Sequence, residues 1–151
     1  MASEDPTPQE LFLGHARMGN LDDMKTLAAA DAALATTSDA SGNTAVHVAA
    51  HNGFEEIVAW LLEQGADARA VNASTGDTAL HGATWKGHLE VVKVLVAADA
   101  TLVDVKNKAG KLPIDLAKSV PVGAYLQNAK LLATMGDEES SGEETDEEEE
   151  D

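Results

Sequence analysis

The chain has 151 residues, 44% of them hydrophobic, which suits one domain; only 3% are aromatic, so alanine, valine and leucine must fill its core. With no cysteine there is no disulfide framework, thiol nucleophile or thiolate metal site. A net charge of −17 disfavours contact with nucleic-acid phosphates, and no apolar run reaches the ~20 residues of a membrane span.

The first ten residues, MASEDPTPQE, are polar and acidic and lack the apolar centre of a signal peptide. Together with the missing cysteines this points to the cytoplasm or the nucleus, without deciding between them. Further on, two stretches repeat each other. Residues 39–72 and 73–106 match Gly42 to Gly76, Thr44 to Thr78, His47 to His81 and Gly53 to Gly87, at a period of 34. The apolar run 57–62 matches 91–96 in the same register. Such a period marks a solenoid, whose units bury their apolar faces only by stacking.

Local chemistry predicts the shape of each unit. Thr44 and Thr78 each cap a helix by accepting a free backbone amide. The first helix, over 45–52, ends at Gly53, where a left-handed turn costs least without a Cβ. A second helix follows, with Ile57, Val58, Leu61 and Leu62 at helical spacing, and stops at Gly65. ADARAVNASTGD then reverses direction in a hairpin-like finger. The expected fold class is all-α apart from these fingers.

Weaker copies flank the two clear ones. Stepping by the period from Gly53 reaches Gly19, and from Gly76 reaches Gly110, where Leu112 replaces the turn threonine and Asp115 the histidine. About four helix-turn-helix units result: 6–38, 39–72, 73–106 and 107–136, the outer two acting as caps. Residues 137–151 hold 11 of the 27 acidic residues and no Lys or Arg, leaving the body 16 acidic against 10 basic residues. That segment has nothing apolar to bury and is expected to be disordered. Within it Ser140, Ser141 and Thr145 each precede a Glu by three residues, the spacing acidophilic kinases select, so all three are candidate phosphorylation sites.

GNTAVHVAAHNG and GDTALHGATWKG resemble the turn and first helix of the ankyrin repeat, and GHLEVVKVL its second helix. Ala45 and Ala79 depart from the family's usual proline, which survives only at Pro113. The resemblance implies a concave partner surface built from finger tips and first-helix ends. By register it takes in Arg17, Met18, His51, Asn52, Trp85 and Lys86 at the helix ends. On the fingers it takes in Asn43, Asp77 and Lys111, with Ser41, Thr75 and Lys108 beside them. Trp85 stands where core packing is not expected, as interface anchors do; Trp60, matched by Val94, is expected to pack.

Chemistry candidates are few. His47 and His51 have metal-ligand spacing on a helix, but His47 and His81 recur with the period and resemble the structural histidine of the ankyrin turn. His88 fits an ordinary helix start, and His15 has no assigned role. HExxH, a phosphate-cradling loop and a nucleophile elbow are all missing from the sequence. Glu55 and Glu56 fit a helix start, where the macrodipole favours anions. No enzyme activity, cofactor or metal is expected. Gly82 inside a first helix suggests close approach of a neighbouring helix.

Lys106, Lys108 and Lys111, with Arg17 and Lys86, form a strip expected to balance local charge; the rival reading folds the acidic tail back over it. The leading expectation is a monomeric, non-catalytic protein-binding module, in its sharper form an escort or chaperone for a basic client such as a ribosomal protein or histone. ARMGNLDDMK, TGDTALH, NKAG and the terminal acid run resemble the fungal ankyrin-repeat escorts of a small-subunit ribosomal protein. The alternative is a regulatory or scaffold subunit whose acidic tail only confers solubility.

Overall fold

The computed structural model describes residues 5–138, with side chains through Met135. Three helix pairs stack in order: α1 (Pro8–Met18) with α2 (Leu21–Ala30), α3 (Ala45–His51) with α4 (Glu55–Glu63), and α5 (Ala79–Lys86) with α6 (Leu89–Ala98). A 3-10 turn at Pro113–Leu116 and a long α7 (Val120–Glu138) close the stack. The described residues contain no strand; an isolated antiparallel bridge joins Ser38 and Thr44.

Each first helix starts on a reciprocal cap. Thr7 accepts the Glu10 amide while the Glu10 carboxylate accepts the Thr7 amide, both at 3.1 Å. Thr44 with His47, and Thr78 with His81, do the same with imidazole as the returning acceptor. Gly19, Gly53 and Gly87 then carry the chain into each second helix at φ 83°, 81° and 80°. Only glycine adopts that backbone cheaply, which is why this residue keeps the period.

The first helices form one row, α1 on α3 on α5, and each second helix packs behind its own partner. Alanines along the row (Ala16, Ala45, Ala49, Ala50, Ala79 and Ala83) are buried and let the helices approach closely. Leu61, Leu80 and Leu95 are fully buried, each contributing about 1.5–3 kcal/mol. Phe12 and Met24 fill the first unit; Leu102 of the third unit, with Val122 and Leu126 of the last, fills the junction between them. Trp60 packs at the edge of this core, its ring 6.3 Å from that of Phe12. Leu62 is only half-buried, unlike its three apolar neighbours.

Three expectations need correction. The last unit has no first helix. Leu112 has no side-chain oxygen to accept the Asp115 amide, which bonds the Leu112 carbonyl instead and tightens the turn to 3-10; the Asp115 carboxylate still accepts the Leu112 amide at 2.9 Å. Helix α7 runs to Glu138, two residues into the range read as tail. Further 3-10 turns, Ala32–Thr36 and Ala100–Asp104, lead into the first and third fingers, each capped by an aspartate side chain (Asp31, Asp99). Residues 139–151, and with them Ser140, Ser141 and Thr145, lie outside the described residues.

The fingers pair with one another as well as closing on themselves. Their turns close through Asp39 N–H to Asn43 O, Asn72 N–H to Asp77 O and Asn107 N–H to Lys111 O, each at 2.9 Å. Between fingers, Ala73 N–H donates to Ser41 O and Lys108 N–H to Thr75 O, again at 2.9 Å. The turn-opening residues Asp39, Asn72 and Asn107 are 33 and 35 apart, so the repeat length is an average over unequal units.

Candidate partner-binding groove

Fingers and first-helix ends enclose a concave face made of two adjoining hollows. The first, about 390 Å³, is lined by Arg17, Asp39, Asn43, His51, Asn52 and Asp77, among others. The second, about 680 Å³, includes His51, Asp77, Trp85, Lys108 and Leu116. His51, Thr75, Asp77 and Gly82 belong to both walls, so the hollows form one open trough.

Most of the residues singled out from the sequence come together here. Trp85 is 45% exposed and stacks on His51, with ring centroids 6.2 Å apart and planes at 28°. Lys86 Nζ stands 5.6 Å from the indole centroid and Lys118 Nζ 4.6 Å, both within cation–π range. Burial foremost, with help from Lys86 and His88, holds the His51 imidazole below its ordinary value, so it stacks as a neutral ring near pH 7. Asn52 lines the trough while its side-chain amide donates to Val48 O at 2.8 Å. Met18, Lys86 and Lys111 are exposed but line neither hollow.

Two finger residues do a different job from the one expected. Asn43 accepts a hydrogen bond from the Asn72 side chain, and Asp77 accepts one from Asn107 Nδ2 at 2.8 Å and another from Thr75 Oγ1 at 2.9 Å. Their side chains are committed to a ladder that ties finger to finger across the groove floor. Burial works against ionisation of Asp39, but the amides of Asn43 and Ser41, the Asn43 side chain and Arg17 outweigh it and keep this carboxyl below the ordinary range.

His47 and His81 join units rather than merely bracing a local turn. Nε2 of His47 lies 2.9 Å from Asp77 O, and Nε2 of His81 lies 3.0 Å from Lys111 O. Nδ1 of each ring accepts the capping threonine amide, so both nitrogens of His47 are occupied and neither is free for a metal. Gly82 is not squeezed by a helix: a Cβ there would meet only His51 Nδ1, at 3.9 Å. It keeps the trough wide where both hollows meet.

Lys118 escaped sequence reasoning because it follows the 3-10 turn that replaced an expected helix. One repeat beyond Trp85 falls on Ser119, beside Lys118, a signal that extending the register would have exposed. The Asn72 and Asn107 ladder partners were equally unmarked, since the unequal finger spacing hides them.

No match is found among curated proteins. The family described as ankyrin repeats (3 copies) matches residues 12–108, well over half of the chain, and the match ends as the irregular last unit begins. Repeat spacing, reciprocal caps, paired fingers and the concave trough agree with that match, and the chain belongs to the ankyrin-repeat family.

Proposed function

We propose that an extended segment of a partner protein lies along the trough from Arg17 to Trp85, and that the partner is a basic client, such as a ribosomal protein or histone, which this chain escorts. Ankyrin repeats are non-catalytic protein-interaction modules, which supports the general role. The acidic composition supports the sharper one: 11 carboxylates in residues 137–151, on a chain of net charge −17, lower a cationic client's effective charge and block its stray RNA contacts. The escort works as a monomer in the cytoplasm or nucleus, without nucleic acid or membrane contact of its own. Phosphate on Ser140, Ser141 or Thr145 adds about −1.5 to −2 per site and strengthens the same effect; mass spectrometry of native protein reads it directly.

The test is a salt titration of binding to a candidate basic client, using the intact chain and one with the 139–151 acids neutralised. Escort requires steep weakening with salt that depends on those acids. A flat, acid-independent response supports a second reading, a regulatory or scaffold subunit whose tail confers only solubility. That reading is favoured by the lysines beside Trp85, which suit a basic segment poorly.

A further inference from the structure

The lysines expected to balance local charge form no direct ion pair. Among the described residues Lys86, Lys106, Lys108, Lys111 and Lys118 make no salt bridge, whereas Arg69, Lys93 and Lys130 each have a carboxylate partner. Half of the ten cationic residues thus gather, unneutralised, in the last two units of a chain of net charge −17. Two of them flank one aromatic surface and a third lines the hollow on which it opens. Lys86 and Lys118 approach the Trp85 ring, and Lys108 lines the same hollow with its Nζ on Ala73 O. The carboxylate in that wall, Asp77, is turned onto Asn107 and Thr75. The indole N–H of Trp85 makes no hydrogen bond within the described chain and remains a donor.

We propose that the hollow at Trp85 is an anion-selective peptide site, and that its resident occupant is the chain's own acidic segment, residues 139–151. That segment holds nine carboxylates and no Lys or Arg. Reach permits it. Helix α7 starts two residues after Lys118, and its 19 residues carry the chain about 27 Å away. Thirteen extended residues span about 43 Å, enough to come back. A short tether supplies an effective concentration in the millimolar range, so a modest intrinsic affinity keeps the site filled. The site is the Trp85 end of the trough assigned to the client above, and the occupant carries the acids assigned to screening that client, so a bound client displaces the segment. No client enters the test, which fails or succeeds apart from the escort reading.

The experiment follows the two indole N–H resonances by NMR, in the intact chain and in a full-length variant with the nine carboxylates of 139–151 changed to Gln or Asn. Neutralisation should move the Trp85 signal and leave Trp60 in place. A synthetic peptide of residues 139–151 should then restore it, with affinity falling about tenfold or more between low and 0.3 M salt. The intact chain should bind that peptide about tenfold more weakly, and Lys118→Glu should abolish binding in the neutralised variant. A Trp85 signal unmoved by neutralisation overturns the proposal, as does a peptide that binds neither form. Equal binding to both forms also overturns it, because the hollow would then stand open to another protein's acidic segment.

Discussion

His47 and Asp77 are thirty residues apart and directly bonded: Nε2 of the imidazole lies 2.9 Å from the Asp77 carbonyl oxygen. That oxygen can only accept, so Nε2 carries the proton. At the opposite edge the Thr44 amide can only donate, at 3.1 Å, so Nδ1 must be bare. One neutral tautomer is fixed, and one side chain both starts its own helix and holds the next finger. His47→Ala should therefore cost about 2–3 kcal/mol: it leaves the half-buried Thr44 amide unpaired and removes one of two bonds to Asp77 O, which keeps the Asn72 amide. Thr44→Ala, which removes one cap, should cost only about 1 kcal/mol. Urea unfolding separates the two, and equal losses would mean the bond between units contributes nothing.

The same geometry sets a pH dependence. Burial, the largest influence, lowers the His47 pKa below its ordinary value; the Asp77 carbonyl and the Asp77 and Asp39 charges push the other way without prevailing. In the unfolded chain His47 takes up a proton near pH 6.5. Between that value and the lower folded one, the unfolded state binds more protons. Stability from this residue is thus complete above about pH 6.5 and drains away as the pH falls toward the folded value. Melting curves from pH 7.5 to 5.5 should slope downward. In His47→Gln the slope should flatten; an unchanged slope would assign it to other histidines.

Legibility in the sequence followed the strength of local rules. Caps at Thr44 and Thr78, and left-handed turns at Gly19, Gly53 and Gly87, are backbone requirements, and both the spacing and the roles held. The last unit departs from the repeat because a single changed residue, Leu112 for threonine, removes the side-chain acceptor of the cap. In the trough, exposure of Trp85 followed from register, while its surroundings did not: Lys118 arrives from a segment whose path depends on that collapsed turn. The bonds that Asn43 and Asp77 make to the next finger are invisible in the sequence, because a partner on another finger has no local signature.

Gly82 offers a test of whether the trough is kept open at the expense of stability. Its helix interior would accept Ala with only ordinary contact to His51. Gly82→Ala should stabilise the fold by about 0.5–1 kcal/mol. The added methyl lies where the two hollows meet, so partner capture should weaken. Thermal melting and a quantitative pull-down read the two effects, and a variant that gains stability without losing binding would place the partner elsewhere.

Trp85 makes the complementary prediction. Its ring covers His51 and supports Lys118 but seals no core, so Trp85→Ala should change stability by about 1 kcal/mol or less. If it anchors the partner, affinity should fall by at least about 2 kcal/mol, roughly thirtyfold. Thermal melting checks the first half and calorimetric titration against a captured partner the second. A large loss of stability would make the indole a structural element of the stack.

The inter-helix glycines share one backbone conformation but differ in what stands above them. A Cβ on Gly53 would lie 2.8 Å from Nδ1 of His88, whose Nε2 is held 3.0 Å from the His51 carbonyl. The ring cannot retreat without breaking that bond. At Gly87 the nearest atom is Ser119 Cβ, at a comfortable 3.5 Å. Gly87→Ala should then carry only left-handed strain, about 1–2 kcal/mol. Gly53→Ala should add the lost hydrogen bond and the displaced ring, for about 2–4 kcal/mol in total. In a His88→Ala background the excess should vanish and the two glycine substitutions should cost the same. An excess that survives removal of the ring would place the strain in the backbone of the second unit, not in its contact with the third.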